Sequence, residues 1–473
     1  MDINKYDIKQ FLVKSSDLIK KKLFVEFYQP KFQFLFKKLH ECPYPVHSLK
    51  KLSNRMFDGP FGSNRKVDMY QDSGIPYIRV KDVLPSGIFL DELKYISLEK
   101  HNELIRSRVV PGNILITIAG RLGTAAVFPE SLKEGNITGH IVGLELSKEI
   151  NPHYVATFIN SQLGEFQAIR LGHRTTRPEL NLSEVGEFII PVPPRPIQDR
   201  IAQIMQNAYV ARKQLLNKAK DLNIEIKDYI LEKLGISQNF PDNKLSFVIQ
   251  ESQIYSKRWD FEYFDPKSTN TIQKIIQCHW PVRTLGEIVS TLTDGQHGYL
   301  KHLPDGIPLL RTTNIFENEI KLHDLRYIAP EVHAAIKRSQ LKPGDVLLTT
   351  IGSIGIAAVV DDSLGEANIN QNLVKLTPQA DINPYYLALF LNSSMGRIQT
   401  ERTASKSVVP IVNYTRLREI LIPIPPYSVQ EHIAEVMQNS YTHIKHIRSD
   451  AENLVIEAKA CVERMILGEE EVR

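Results

Sequence analysis

The sequence repeats itself at a nearly constant offset, and this duplication constrains the fold more than any other feature. Residues 111–127 match residues 343–359 at nine of seventeen positions, an offset of 232. Residues 189–209 match residues 421–441 at eleven of twenty-one positions, with the same offset. Nearer to the N-terminus the offset becomes 236, so one copy differs by a four-residue slip. Self-similarity at a fixed offset over about 200 residues predicts two copies of one structural unit.

The first part of each copy has the pattern of a mixed α/β domain. Runs of β-branched and aliphatic residues at 75–80, 113–118 and 345–350 are bounded by glycine or proline, which favours short buried strands. Asparagine followed by proline, at 151–152 and 383–384, predicts a helix start in each copy, because asparagine caps a helix and proline fits its first position.

The second part of each copy predicts one long helix. It follows a Pro-x-Pro-Pro segment, and its apolar residues recur at alternating spacings of four and three, which is a heptad-like seam. Each helix has about 35–40 residues, so it is about 50–60 Å long. The seam residues are Ile197, Ile201, Ile204, Ala208, Ala211, Leu215, Ala219, Leu222, Ile226 and Tyr229 in the first copy, and Val429, Ile433, Val436, Ser440, Ile444, Ile447, Ala451, Leu454, Ala458, Cys461 and Met465 in the second.

These patterns together predict the architecture. We expect two similar α/β (α+β) domains separated by two long antiparallel helices, which form a coiled coil with pseudo-two-fold symmetry and hold the domains at opposite ends of a rod. The alternative is that each helix packs separately on its own domain. The predicted division is a first globular domain at 1–195, which includes a lysine-rich N-terminal extension at 1–22, a first spacer helix at 196–236, a second domain at 237–427 and a second spacer helix at 428–473.

Composition excludes several classes of protein. The chain has 473 residues, of which 42% are hydrophobic and 24% are charged, as is typical of a globular protein. It has no run of 18 apolar residues and no signal-peptide pattern, so we expect a cytoplasmic protein without a membrane partner. Cys42, Cys278 and Cys461 are too widely spaced for a CxxC zinc motif or a disulfide framework.

The net charge of +4 does not by itself indicate a nucleic-acid partner. Residues 1–51 contain eleven lysines and five acidic residues, so the remainder of the chain sums to about −2. Any interaction with nucleic acid must therefore depend on local basic clusters.

No catalytic constellation stands out in the sequence. The segment Asn383–Tyr386 resembles the Asn-Pro-Pro-aromatic motif of adenine methyltransferases but lacks the second proline, and helix capping is the favoured interpretation. His443 and His446 lie three residues apart on a predicted helix without a third ligand, which favours a surface role over a metal site. We therefore expect a binding protein that is not an enzyme, with no catalytic residues and no metal ligands.

The two copies share glycine, proline and apolar residues but differ in three polar loops. The corresponding loops are 59–66 and 295–302, 120–123 and 352–355, and 170–177 and 402–409. Their side chains can hold phosphates and present hydrogen-bond donors to base edges, which favours two domains that read different nucleic-acid sequences. For any single arginine, a solvated surface charge remains the alternative. The candidate DNA-binding residues are Ser63, Asn64, Arg65, Lys66, Arg79, Arg121, His173, Arg174, Arg177, Gln296, His297, Lys301, Arg311, Ser353, Ser405 and Lys406.

This layout resembles the specificity subunit of type I restriction–modification systems, in which a target-recognition domain and a long helix each occur twice. The resemblance covers the chain from about residue 23 to its end, although residues 23–30 lack the Arg and Asp of the second domain's opening. The matching features are Asp58–Ser63, the Asp294-Gly295-x-His297 segment, Arg258–Pro266, Gly-Ile-Pro at 74–76 and 306–308, the Pro-Gly strand starts, the Gly-x-x-Gly turns and the Pro-x-Pro-Pro-x3-Gln-x2-Ile-Ala start of each helix.

The resemblance implies a function in DNA recognition. Each domain would dock in the major groove of one half of a bipartite, asymmetric site, and the helices would act as a ruler that fixes the interval between the halves. The partners would be double-stranded DNA, two adenine methyltransferase subunits that use S-adenosylmethionine, and restriction subunits that use ATP and magnesium to translocate DNA. The chain itself would bind none of these cofactors.

Two alternatives from other classes remain open. One is a divergent DNA methyltransferase, for which bound or cross-linked S-adenosylmethionine in the isolated chain would be the evidence. The other is a scaffold that joins two protein partners through the helices without DNA contact, and salt-sensitive binding of random DNA would count against it.

The third loop of the first copy generates a prediction. We expect Arg174→Ala and Arg177→Ala to weaken recognition of only the half-site that the first domain reads, because a base contact concerns one domain. Binding to duplexes altered in one half-site at a time measures this effect. Equal loss at both half-sites would instead make these arginines phosphate contacts.

Overall fold

The computed structural model describes residues 25–60, 70–172, 178–239, 264–298, 300–405, 411–412 and 414–470. The N-terminal extension at 1–22 and half of the predicted DNA-binding residues lie outside this description. Those predicted residues are Ser63, Asn64, Arg65, Lys66, His173, Arg174, Arg177 and Lys406.

The chain forms two compact units. Unit 1 consists of Met1–Leu216 together with Arg448–Arg473, and unit 2 consists of Asn217–Ile447. The elements of unit 1 are α1 (Pro30–Glu41), β1 (Val46–Ser48), α2 (Leu49–Leu52), β2 (Ser53–Asp58), β3 (Ile75–Ile78), β4 (Val83–Leu84), β5 (Gly87–Ile88), β6 (Lys94–Ile96), α3 (Leu98–Glu103), β7 (Arg108–Val109), β8 (Ile114–Thr117), β9 (Ala125–Val127), β10 (Gly135–Ile137), β11 (Ile141–Leu146), α4 (Pro152–Ile159), α5 (Gln162–Leu171), α6 (Leu182–Gly186), β12 (Ile189–Pro191) and the first part of α7 (Arg195–Lys233).

Unit 2 repeats this order of elements at offsets of 232 and 236 residues. Where unit 1 has β7, unit 2 has a single bridge between Gln340 and Asn368. The elements of unit 2 are α8 (Pro266–Ile276), β13 (Val282–Thr284), α9 (Leu285–Ile288), β14 (Val289–Asp294), β15 (Ile307–Leu310), β16 (Ile315–Phe316), β17 (Glu319–Ile320), β18 (Arg326–Ile328), α10 (Pro330–Ala335), β19 (Val346–Thr349), β20 (Ala357–Val359), β21 (Asn368–Ile369), β22 (Leu373–Pro378), α11 (Pro384–Asn392), α12 (Ser394–Thr403), α13 (Tyr414–Leu417), β23 (Leu421–Pro423) and the first part of α14 (Tyr427–Leu467).

Each unit contains two larger sheets. The main sheet is antiparallel, with the order β2-β11-β8-β9 in unit 1 and β14-β22-β19-β20 in unit 2. The second sheet has the order β6-β3-β10-β7 in unit 1 and β18-β15-β21 in unit 2. One pair of its strands is parallel in each unit, β3 with β10 and the equivalent β15 with β21. The α/β class and the repetition predicted from the sequence are thus confirmed.

The main sheet of unit 1 lies between the second sheet and a layer of helices. Ile114 and Ile116 of β8 belong to a core cluster with α4, α5 and α7, whereas Leu115 packs in a cluster with the second sheet. Because both faces of this sheet are covered, β8 is a continuous apolar run without polar alternation. The strand predictions at 75–80, 113–118 and 345–350 correspond to β3, β8 and β19.

Helices α4 and α11 begin at the predicted asparagine caps. The side-chain oxygen of Asn151 accepts hydrogen bonds from the backbone N–H groups of His153 and Tyr154, at 2.8 and 3.3 Å. The side-chain oxygen of Asn383 accepts hydrogen bonds from the backbone N–H groups of the two residues that follow Pro384, at 3.0 and 3.2 Å. The capping interpretation is confirmed, because the amide group that a methyltransferase motif would offer to a base is part of the helix start.

A buried glutamine ties the start of each long helix to its unit. Gln198 accepts a hydrogen bond from the backbone N–H of Asn151 at 2.8 Å and donates to the carbonyl of Pro193 at 2.8 Å. Gln430 makes the equivalent contacts with Asn383 and Pro425, at 2.9 Å each. These are the glutamines of the Pro-x-Pro-Pro-x3-Gln motif, and they satisfy backbone groups that would otherwise be buried without partners.

Within unit 1, the two long helices pack against each other in antiparallel fashion. Met205, near the start of α7, shares a core cluster with Met465, near the end of α14. Further along, Arg212 of α7 forms an ion pair with Glu452 of α14 at 2.7 Å. Separate packing of each helix on its own domain is therefore wrong for unit 1.

The predicted seam is largely correct but contains one error. The helices have 39 and 41 residues, in agreement with the expected length. Every predicted seam residue is buried or partly buried except Leu454, which is exposed at 37%. Val455 instead packs on the unit 1 core, eight residues after the buried Ile447, where a strict repeat would place a seam residue after seven.

We expect Gln198→Ala to lower the free energy of unfolding of unit 1 by about 3 kcal/mol, since it leaves a buried N–H and a buried carbonyl without partners. Denaturant unfolding measures the change. Gln203→Ala, five residues further along α7, is the matched control, because Gln203 is exposed and bonds only to the side chain of Asn207. Similar losses in the two variants would contradict the buried role of Gln198.

Candidate nucleic-acid interface

In unit 1, described residues within or beside each of the three predicted loops lie at one edge of the main sheet. Asp58 and Thr117, the last residues of β2 and β8, lie opposite consecutive residues at the start of β11. The segments that follow β2 and β8 therefore leave the sheet at the same edge, on either side of β11. A bridge between Ala119 and Glu179 brings the chain that follows residues 173–177 to the same place.

Unit 2 builds the same edge from its own residues. Asp294 and Thr349 end β14 and β19 opposite consecutive residues at the start of β22. A bridge between Ile351 and Ile411 adds the segment that follows α12. We call these regions the loop edges: residues 58–60, 117–123 and 178–180 in unit 1, and residues 294–298, 349–355 and 404–412 in unit 2, as far as they are described.

Glycine is required where the first loop leaves the sheet. A Cβ atom on Gly59 would clash with the backbone of Ile137 and Thr138, and one on Gly295 would clash with the backbone of Ile369 and Asn370. Only a residue without a side chain allows this close approach between the loop and the second sheet. The chain is therefore held against the backbone of the second sheet at Gly59 and at Gly295.

The second loop of each unit is a glycine-bounded turn between two strands of the main sheet. Gly120 and Gly123 have φ angles of 75° and 71°, and Gly352 and Gly355 both have 78°, a conformation that favours glycine. The hydroxyl of the last strand residue, Thr117 or Thr349, donates to a carbonyl within the turn. Arg121 and Ser353 lie exposed in these turns, at equivalent positions.

The remaining predicted residues of the unit 2 loop edge are accessible to a ligand. Gln296 is half-buried and forms a bridge with Asn370, the residue directly after β21 of the second sheet. His297, Lys301 and Ser405 are exposed. The Nε2 atom of His297 contacts a carboxylate oxygen of Asp294. The structure thus brings Gln296, His297, Ser353 and Ser405 together at one edge, and Lys301 follows three residues after this edge.

Two arginines that the sequence analysis did not select stand beside the loop edges. Arg106 forms an ion pair with Asp58, and Arg338 forms one with Asp294 at 2.9 Å. In unit 2, burial and the nearby Asp294 carboxylate raise the pKa of Tyr414 to about 12, so its hydroxyl stays protonated. The sequence signal that could have found these arginines is the Arg-Ser dipeptide, which recurs at the offset of 232.

Arg79 and Arg311 occupy equivalent positions after the central strand of the second sheet and are engaged in internal contacts. The Arg79 guanidinium binds both carboxylate oxygens of the fully buried Asp82 at 2.9 Å, and the Glu92 carbonyl at 2.6 Å. Arg311 instead binds the carboxylate and carbonyl of Asp324, at 2.9 and 2.6 Å. A DNA-binding role for these two arginines stays a prediction, and their present contacts are structural.

The structure offers no cluster of metal ligands. Among the described residues, no group of three or more His, Cys, Asp or Glu side chains could hold a metal ion, and His443 and His446 are exposed on α14. In the same part of the chain, no helix combines the length and apolar character needed to cross a membrane.

The family of this chain follows from its match to a family model. The model, described as the type I restriction modification DNA specificity domain, matches residues 62–228 and 279–455, which is well over half of the chain. The chain belongs to this family. The two matched segments contain the loop edges of unit 1 and unit 2, respectively, apart from residues 58–60.

Two relatives at low identity are named as specificity subunits of type I restriction enzymes. The chain is 24% identical to the type I restriction enzyme EcoBI specificity subunit of Escherichia coli over 178 residues, which cover 37% of each protein. It is 27% identical to a putative type I restriction enzyme MjaX specificity subunit of Methanocaldococcus jannaschii over 165 residues, covering 34% of this chain and 39% of that protein. The matches thus span about two fifths of each relative's length.

One solved structure with a TM-score above 0.5 shares the fold across most of the chain. It comes from a study of complex assembly and conformational transition of the type I R-M system; it has a TM-score of 0.53 at 15% identity and covers 90% of this chain and 99% of that one. The S subunit of a type I restriction-modification system from M. genitalium covers 90% and 96%, with a TM-score of 0.44 at 14% identity. At 15% identity, the similarity to the first of these structures shows a shared fold alone.

The contrast between the two arginine sites gives a prediction. We expect Arg79→Ala to lower the free energy of unfolding by about 3–5 kcal/mol, since it leaves the buried Asp82 carboxylate without its partner. Arg311→Ala is the matched control and costs about 1 kcal/mol or less, because Asp324 is 70% exposed. Denaturant unfolding of both variants measures these changes. Equal losses of unfolding free energy would show that the contribution of Arg79 to stability does not depend on the burial of Asp82.

Proposed function

We propose that this chain is the DNA sequence-recognition subunit of a type I restriction–modification complex, and that each unit reads one half of a bipartite, asymmetric site. The observation that carries the proposal is the pair of loop edges. Both are built from the same strands, the same register and the same glycines, yet they present different side chains, such as Arg121 in one and Ser353 in the other.

A shared frame with unlike loops suits the physics of DNA recognition. Contacts to phosphates fix the register of a protein on the duplex, and a few contacts to base edges discriminate sequences, at about 1–3 kcal/mol for each good bidentate pair. Arg121, Ser353 and Ser405, whose side chains can make such contacts, are exposed at the loop edges. Two unlike edges would read two unlike half-sites, which makes the whole site asymmetric.

The long helices would set the interval between the two half-sites. Both α7 and α14 contribute residues to unit 1 and to unit 2. A continuous helix rises 1.5 Å per residue and resists bending over this length, so its residue number defines a distance. In this proposal, the predicted division into two target-recognition domains and two spacer helices is the functional anatomy of the chain.

The chemistry would belong to partner subunits. We propose two adenine methyltransferase subunits, which use S-adenosylmethionine, and restriction subunits, which use ATP and magnesium, all meeting in the cytoplasm where the DNA is. This chain would bind none of these cofactors and would catalyse no reaction. The methyltransferase alternative loses its main support, because Asn151 and Asn383 serve as helix caps. No observation favours a scaffold without DNA contact.

The ruler is tested by changing the length of the helices. Inserting about four residues after Leu216 in α7 and after Ile447 in α14 retains the apolar register and adds about 6 Å, close to two base-pair rises. We expect the assembled complex to methylate the same two half-sites, separated by about two additional base pairs. Methylation mapping on genomic DNA measures the interval.

Length-neutral substitutions serve as the control for the insertion. Alanines at exposed positions beside the same points, such as Asn217 and Arg448, should leave both half-sites and their interval unchanged. If the insertion variant modifies the original site with the original interval, the helices are not the ruler.

A further inference from the structure

A short turn beside each loop edge is held in the same way in both units. Residues Ile105–Ser107 form one turn of 3-10 helix in unit 1, and Lys337–Ser339 form the equivalent turn in unit 2. In each turn the first two side chains are exposed and the serine is buried. The turn follows a short helix, α3 in unit 1 and α10 in unit 2. None of the residues of either turn is among the DNA contacts predicted from the sequence.

Buried polar side chains hold each turn on the side that faces the protein interior. In unit 1, the side-chain amide of Asn136 donates to the Leu104 carbonyl and to the Ser107 hydroxyl, at 3.0 Å each, and is fully buried. In unit 2, Asn368 donates to the Ser339 hydroxyl at 2.8 Å and to the Ile336 carbonyl at 3.5 Å, and is also fully buried.

A histidine completes this network in both units. His101 contacts the side-chain oxygen of Asn136, and His333 contacts that of Asn368. A buried amide with three polar partners has little freedom to rotate, so the backbone of the turn is fixed relative to the second sheet. The same residue types make the same contacts 232 residues apart.

A carboxylate fixes the exposed arginine of each turn from the side. Arg106 forms its ion pair with Asp58, and Arg338 forms its ion pair with Asp294 and also donates to the Gly295 carbonyl at 3.3 Å. The carboxylates are 17% and 12% exposed, whereas the arginine side chains are 76% and 59% exposed. In the described part of the structure these contacts use only Nη2, so Nε and Nη1 remain to bind a ligand.

Stability alone does not account for this construction. The arginine of each pair is mostly exposed, so water competes for its charge and the pair adds less to folding than a fully buried ion pair does. Here, however, each pair aligns an exposed guanidinium beside the residue at which the first loop leaves the main sheet. A guanidinium oriented by a carboxylate on one side can bind a phosphate on the other side, since its planar donors match both groups.

We propose that Arg106 and Arg338 each bind one backbone phosphate of the duplex, and that Asp58 and Asp294 are positioning residues that orient them. The proposal rests on the DNA-recognition function and extends it to residues outside the predicted loops. Because the two units share these residues, the contact cannot distinguish unlike half-sites. The sequence-reading residues must be those that differ, and the exposed neighbours Ile105 and Lys337 are an example of such a difference.

The test measures how binding of duplex DNA depends on salt. One probe is a random-sequence duplex of about 30 base pairs, and the other is a duplex that contains the target site found by methylation mapping. Binding of each duplex is measured by fluorescence anisotropy at KCl concentrations from about 50 to 200 mM. The proteins are the full chain, alone and assembled with its partner subunits, as wild type, Arg106→Ala, Arg338→Ala, Arg338→Lys and Asp294→Asn. Arg195→Ala and Arg283→Ala are the controls, because these arginines form exposed ion pairs with Asp199 and Asp381 away from the turns.

We expect each arginine-to-alanine variant to bind both probes about three- to tenfold more weakly, and to lower the slope of log K against log salt by about one. Arg338→Lys should keep the slope, since it keeps the charge. Asp294→Asn should weaken binding of the mapped target relative to the random-sequence duplex, because it releases the orientation of Arg338 while it removes a negative charge. Controls should behave as wild type.

Three results would overturn the proposal. If the alanine variants bind as wild type does, the phosphate contact is wrong while DNA recognition stands. If they lose affinity only for the mapped target and keep the salt slope, the arginines read bases. If the wild type binds neither probe in either form, the proposed function fails and this inference fails with it.

Discussion

The register of the main sheet is the constraint on which the rest of the structure depends. In antiparallel pairing, the end of one strand lies beside the start of its neighbour, so segments distant in sequence emerge together. Asp58 and Thr117 lie opposite consecutive residues of β11, and this places residues 59–60, 118–123 and 178–180 at one edge. A shift by one residue would turn the apolar side chains of β8 onto the wrong faces, where they would lose either the helices or the second sheet.

The same register explains why the two units tolerate unlike loops. The main sheet of unit 1 is covered on both faces, so the side chains of its strands are constrained by packing. The glycines at the loop edges are constrained by backbone approach, at Gly59 and Gly295, or by positive φ angles in the turns. Arg121 and Ser353 are constrained by neither, because both are exposed. The residues that would distinguish two half-sites are therefore those whose replacement disturbs the fold least.

The sequence predicted the repeating parts of this fold and missed contacts between distant residues. The internal repeat, the buried strands, the asparagine caps and the helix lengths follow from local patterns, and the structure contains them. Leu454 was assigned to the seam because a seven-residue repeat was continued too strictly. Arg79 and Arg311 were selected for their charge, but their contacts with the Glu92 carbonyl and with Asp324, each thirteen residues away in sequence, depend on tertiary structure. Arg106 and Arg338 were overlooked because their recurring Arg-Ser dipeptide lies outside the loops in which the two copies differ.

These arginine contacts also bear on the modest charge of the chain. A DNA-binding surface can gain affinity from many diffuse lysines or from a few cations held in place, and a net charge of +4 argues against the first route. An arginine already aligned by a carboxylate loses less side-chain freedom on binding a phosphate than a mobile lysine does, because its orientation is fixed beforehand. The carboxylate also reduces the net positive charge at that point, which weakens attraction to DNA in general. On the proposed function, the Asp58–Arg106 and Asp294–Arg338 pairs would therefore trade non-specific affinity for a defined register, and register is what a sequence-reading edge requires.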